Sequence, residues 1–109
     1  MQPDNTSQPL YQGSGWANIG RSLFFSTRAT SPLGKITIWQ DKIEVSVRLK
    51  NITLTKTEIS NIAQRKVLFS NGIQFIHNRS DLSPFIAFGS HDLDKVISVL
   101  RQAGYPVTF

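Results

Sequence analysis

The 109-residue sequence predicts a mainly β domain that ends in one α-helix, and three features predict it. Apolar and polar residues alternate over positions 36–49, the period of a strand with one wet face. Asn71-Gly72 separates two short runs rich in β-formers, in the manner of a tight hairpin. Leu93, Val96, Ile97 and Leu100 then fall at i, i+3, i+4 and i+7, the stripe of an amphipathic helix that needs a sheet to cover it.

Taken in order, residues 1–18 hold Pro3, Pro9, Gly13 and Gly15, with only Leu10, Tyr11 and Trp16 as sizeable apolar groups. They read as a flexible tail, and the folded domain is expected over 19–109. Residues 21–28 read as a first strand, with Leu23 and Phe25 on one face and Phe24 on the other, which Ser31-Pro32-Leu33-Gly34 breaks. Ile36 and Ile38 alternate with Lys35, Thr37 and Trp39. After a Gln40-Asp41 turn, Ile43, Val45, Val47 and Leu49 alternate with Lys42, Glu44, Ser46, Arg48 and Lys50.

Asn51 marks the next turn, and Ile52 and Leu54 give a short fourth strand. Ile59 and Ile62 are three apart, which breaks strand parity and predicts either a bulge or a turn of helix, the bulge being preferred. Residues 65–69 resume a strand, Ser70-Asn71-Gly72 turns with type I′ chemistry, and 73–77 returns. A polar loop over 78–83 precedes the last strand, which Pro84 opens where no ladder donor is needed. The helix is expected from about His91 to Ala103. Ser90 supplies a capping oxygen, Asp92 and Asp94 sit in the first turn, Arg101 in the last, and Gly104 and Pro106 stop it. The count is six or seven antiparallel strands and one helix.

Composition narrows the chemistry. Twelve Lys and Arg oppose seven Asp and Glu, a net charge of +5, but the basic residues are scattered and never run longer than Arg65-Lys66. That excludes a polybasic tail or membrane anchor. Without cysteine there is no disulfide, thiolate metal site or cysteine nucleophile. The first residues lack a signal-peptide pattern, and no apolar run approaches the roughly 20 residues of a bilayer span, so a cytoplasmic protein is expected.

His77 lies near Asp81, and His91 near Asp92 and Asp94, but no His-x-x-x-His pair occurs, and neither metal nor cofactor is expected. There is no Gly-x-Ser-x-Gly elbow, and Gly13-Ser14-Gly15 lacks the spacing of a phosphate cradle. The reading is therefore non-enzymatic. Trp39 beside Lys35 is the best platform for stacking single-stranded nucleic acid. Packing of Trp39 under the N-terminal tail or at a homodimer contact is the preferred account, and nucleic acid ranks last among partners.

The runs Gly72-Ile73-Gln74-Phe75-Ile76-His77 and Pro84-Phe85-Ile86-Ala87-Phe88, the stripe over 93–100 closed by Gly104, and the hairpin over 36–47 together resemble the pleckstrin-homology-like (PH-like) domains, particularly the small bacterial type. The resemblance covers roughly residues 20–106. It implies six to seven antiparallel strands in two nearly orthogonal sheets forming a barrel, capped by the C-terminal helix, and a non-catalytic role in binding phosphoinositide headgroups, peptides or proteins.

In lipid-binding members the first hairpin carries a basic pattern. Arg28 and Lys35 stand at its first two places, but Thr37 occupies the final arginine position, which weakens a lipid reading. The resemblance also places Arg48 and Lys50 beside the third loop and Arg79 in the loop before the last strand, so that these loops approach at one end of the barrel and frame a weak anion site. In this fold the strand beside the C-terminal helix can expose an edge. Arg65, Lys66, Val67, Leu68 and Phe69 are the expected edge for an added partner strand. The function expected is a binding or scaffolding module for an unknown protein or peptide partner. A weakly bound anionic membrane surface is the alternative, and single-stranded nucleic acid comes after it.

Overall fold

Ile36, Ile38, Ile43, Val45 and Val47 are all fully buried, as their period-2 spacing requires. The computed structural model describes residues 8–21, 26–67 and 70–109. Among these are seven strands: β1 (Tyr11–Gly20), β2 (Ser26–Ile38), β3 (Lys42–Val47), β4 (Lys50–Thr55), β5 (Ile59–Val67), β6 (Ser70–His77) and β7 (Phe85–Gly89). A 3-10 turn over Lys56–Glu58 joins β4 to β5, and one helix, α1 (Leu93–Gln102), follows β7.

The strands form a curled antiparallel sheet, a half-barrel in the order β4-β3-β2-β1-β7-β6-β5. β1 pairs with β2 from Tyr11 to Gly20 and with β7 from Trp16 to Gly20, so it joins the two halves into one hydrogen-bonded sheet. Ile19, Ile62, Ile73, Phe75, Ile86 and Phe88 fill the concave side. Val96 and Leu100 of α1 close over them fully buried, which contributes about 1.5–3 kcal/mol per side chain. The mainly β architecture with a C-terminal helix is the one the sequence predicts.

The helix stop follows the expected chemistry. Gly104 adopts φ 87°, its N–H donates to the Arg101 carbonyl at 3.0 Å, and the Tyr105 N–H donates to the Leu100 carbonyl at 3.0 Å, a Schellman ending that only glycine enters without strain. At the other end Asp92 takes the N-cap position, and Ser90 acts two residues before it. The Ser90 Oγ accepts the Asp92 N–H at 3.1 Å, and α1 begins at Leu93. The Tyr105 hydroxyl donates to the Trp39 carbonyl at 2.8 Å, and the Gln40 amide donates to the Ala103 carbonyl at 3.0 Å. These bonds fasten the end of the helix to the turn between β2 and β3. Burial, followed by the nearby Asp41 carboxylate, holds the Tyr105 phenol in its neutral form.

Five expectations are corrected. The tail expected over 1–18 overlaps β1, which begins at Tyr11 and lies in the middle of the sheet. Small residues let its neighbours approach: a Cβ on Gly15 would lie 2.1 Å from the Gly89 carbonyl oxygen. The strand expected over 21–28 does not stand as one element: β1 ends at Gly20 and β2 begins at Ser26, and Leu23, Phe24 and Phe25 lie outside the described residues. The break expected at 31–34 is absorbed as a bulge. β2 continues through it, and pairing with β1 jumps from Gly15↔Gly34 to Ala17↔Ala29.

The alternation does not carry through Leu49, which is fully exposed, because the chain turns at Arg48 with φ 56° between the paired residues Val47 and Lys50. The Asn71-Gly72 reversal falls earlier, between Val67 and Ser70, which pair directly, and Asn71 and Gly72 belong to β6. The bulge expected near Ile59 is present, with a register shift between Ile59 and Asn61.

Candidate functional site

β5 is the last strand of the sheet, so one side of its backbone faces away from β6. In an antiparallel ladder the main-chain groups of successive residues point to opposite sides. Val67 and Ser70 form the closing pair of the hairpin, which turns the groups of Ile62, Gln64 and Lys66 outward. At Ile62 those groups are taken by the chain's own C-terminal segment. The Ile62 N–H donates to the Pro106 carbonyl at 2.9 Å, and the Thr108 N–H donates to the Ile62 carbonyl at 3.4 Å, a parallel bridge centred on Val107. Among the described residues, the main-chain groups of Gln64 and Lys66 have no main-chain partner beyond β6.

This is the strand expected as the partner-binding edge. Arg65 and Lys66 are exposed on it, and the Arg65 guanidinium lies 5.5 Å from the centre of the Phe85 ring. Val67 is described through its backbone alone, and Leu68 and Phe69 lie outside the described residues. β4 is the opposite edge of the sheet, and it is shorter. The β5 edge differs from it in already carrying an added segment. Pro106 followed by the β-formers Val107, Thr108 and Phe109 is the sequence signal for that segment, because proline opens short edge strands.

The five basic residues expected to frame an anion site do not meet at one point. Lys35 and Arg48 line a shallow groove of about 350 Å³ on the outer face of β2 and β3, with Glu44 between the same walls. Arg28 turns to Asn18, its Nε donating to Oδ1 at 3.0 Å. Lys50 reaches the Ser83 hydroxyl at 3.5 Å. Arg79 is neutralised by two carboxylates: its Nε donates to Asp81 at 3.0 Å and Nη1 lies 3.6 Å from Glu58. Lys35 sits away from the first loop because β2 extends from Ser26 to Ile38, with Lys35 opposite Ser46.

The Trp39 ring lies 5.1 Å from the Lys42 ammonium, on the turn that the helix end grips. His77 holds the loop before β7: its Nδ1 accepts the Arg79 N–H at 3.1 Å, which leaves Nε2 to donate to the Ser83 carbonyl at 2.9 Å. Among the described residues no three His, Asp or Glu side chains gather as metal ligands, and no helix is long and apolar enough to cross a membrane.

A roomier concavity than the groove beside Lys35 lies elsewhere, an open cleft of about 720 Å³ beside the start of α1. Trp16, Ser31, Asn71 and Ser90 line it together with Asp92 and Asp94, and no lysine or arginine does so among the described residues. Its carboxylates therefore disfavour an anionic ligand. Burial raises the pKa of the nearby Tyr11 phenol, and the Asp92 carboxylate that accepts its hydroxyl adds to this. Four segments distant in sequence build the cleft, so no local motif announces it. No protein-family model matches this chain, and no curated protein matches it.

Proposed function

We propose that the chain is a non-enzymatic, PH-like binding module whose partner is a protein or peptide segment added as an extended strand along β5. The observation that carries the reading is the pair of outward main-chain groups at Gln64 and Lys66, in line with an Ile62 that already accepts an added segment. Main-chain pairing supplies affinity in this mode and is tolerant of sequence. Arg65 and Lys66 keep the edge soluble when empty and favour acidic side chains on the incoming segment.

Proline at position 66 tests this. The Lys66 N–H points away from β6, so Lys66→Pro removes an outward donor and leaves the β5–β6 ladder bonded, which is the position where edge strands tolerate proline. Peptides selected from a displayed library on the wild-type chain should lose binding to Lys66→Pro, while its thermal melt stays close to wild type. Selected peptides that bind both proteins equally would remove the edge reading.

A further inference from the structure

The segment on the β5 edge is itself informative, because its two ends are held very differently. Tyr105 is anchored, buried and bonded through its hydroxyl to the Trp39 carbonyl. Beyond Pro106 the attachment thins to one bridge at Val107, whose second main-chain bond is long at 3.4 Å. Thr108 adds a hydroxyl bond to the Asn61 side chain at 2.8 Å, and both Thr108 and Phe109 are exposed. A continued parallel ladder would bring the Thr108 carbonyl to the Gln64 N–H. It does not, and Arg101 instead donates to the Phe109 main-chain oxygen, with its guanidinium 5.7 Å from the Phe109 ring.

We infer that residues 107–109 are a detachable internal strand that occupies part of the partner lane on β5 and competes with an incoming extended segment. The inference rests on the edge reading above and adds its regulation. An outside segment pairing along Ile62, Gln64 and Lys66 in the parallel sense runs through the space of Val107 and Thr108. Both cannot be there. The internal segment holds the advantage because Tyr105 tethers it next to its site, which gives it the high effective concentration of a short linker. Elements held by few buried contacts and exposed main-chain bonds are those that open locally, and residues 107–109 fit that description. Any contact that draws Phe109 or Arg101 away would free the lane.

The test uses the full chain. Thr108→Pro deletes the N–H that reaches the Ile62 carbonyl and leaves the Tyr105 anchor in place. Amide hydrogen exchange at Ile62 should accelerate by about tenfold or more, as expected when an edge bond is released. The probe is a synthetic hexapeptide of residues 104–109, the sequence that already fits the lane. It should bind Thr108→Pro about tenfold or more tighter than wild type, with NMR shifts at Ile62, Gln64 and Lys66.

If the Ile62 amide exchanges equally slowly in both proteins, the C-terminal segment is not a detachable occupant. If the probe binds both proteins equally and protects Gln64 and Lys66, the edge reading stands and the competition is overturned. If Ile62 is released but the probe protects neither Gln64 nor Lys66 in either protein, the edge reading fails together with the inference.

Discussion

The Trp16 indole lies against the backbone of Gly89, its partner across β1 and β7, so closely that a Cβ on Gly89 would sit 2.4–2.5 Å from three ring atoms. Gly72 on β6 meets the same ring, with Cζ2 and Cη2 at 2.4 and 2.5 Å from its would-be Cβ. Two glycines on adjacent strands thus make a flat bed for one aromatic side chain, and the ring replaces the side chains they lack.

Alanine at either position must displace that ring. Gly72→Ala meets the Phe88 carbonyl oxygen at 2.8 Å as well, so the ring alone cannot relieve it. We expect Gly72→Ala to cost about 1–3 kcal/mol, the range for overpacking, with a shift in Trp16 fluorescence. Urea denaturation that places it within about 0.5 kcal/mol of wild type would show that Trp16 moves freely.

β1 occupies the middle of the sheet, so the N-terminal segment is structural from Tyr11 onward. Deleting residues 1–19 removes the strand that links β2 to β7 and exposes two edges within the core. The truncated chain should lose the cooperative melt and the β signature in circular dichroism. A folded remainder would mean that β2 and β7 close on each other without it.

Leu100 is fully buried at the last turn of α1, beside the Schellman ending at Gly104. Leu100→Ala should cost about 2–5 kcal/mol, since the helix is held by its bonded C-terminal end and cannot easily collapse into the cavity. A thermal melt within the range of a surface substitution would detach α1 from the core.

Asn18 is fully buried in β1. Its Oδ1 accepts from Arg28, but Nδ2 has no hydrogen-bond partner among the described residues. A buried unsatisfied donor costs about 1–3 kcal/mol, whereas the half-exposed Arg28 can turn to water when released. Asn18→Val should therefore be as stable as wild type or more so, with a denaturation midpoint that does not fall. A loss above about 1 kcal/mol would mean that the Arg28 bond matters more than the orphan amide.

How far the sequence reveals this molecule depends on how local each signal is. The burial of Ile36, Ile38, Ile43, Val45 and Val47 is legible because one hairpin decides it, and the α1 stripe and the Gly104 stop are legible for the same reason. β1 reads as a tail because glycine and alanine weigh against a strand in isolation, while tertiary packing of Trp16 and close backbone approach outweigh propensity. Gly72 reads as a turn residue, but its lack of a side chain serves Trp16, more than fifty residues away in the chain. β5, which carries Arg65 and Lys66, is the last strand of the sheet, where charged residues are common. The pairing of Val107 with Ile62 and the cleft beside α1 depend on distant segments meeting, which no window of sequence contains.

Acid should loosen the loop before β7 in a specific order. The Thr55 N–H bonded to Glu58 at 3.0 Å is the main cause holding that carboxyl below its ordinary 4.5, with Arg79 adding to it. Bonds from Arg79 are the main cause holding Asp81 below its ordinary 3.8. Both folded values are depressed, so the stabilisation is fully present above the ordinary values and disappears as pH falls through the folded ones. Asp81 is exposed and Glu58 only half-buried, so the effect on global stability is small. Arg79→Gln separates the two causes. The Asp81 midpoint in a carboxyl-carbon NMR titration should rise most of the way to its ordinary value, while Glu58 keeps most of its depression because the Thr55 N–H remains. Equal rises at both carboxyls would show that Arg79 rather than the capping bond governs Glu58, and that the 3-10 turn is not held from its own N-terminus.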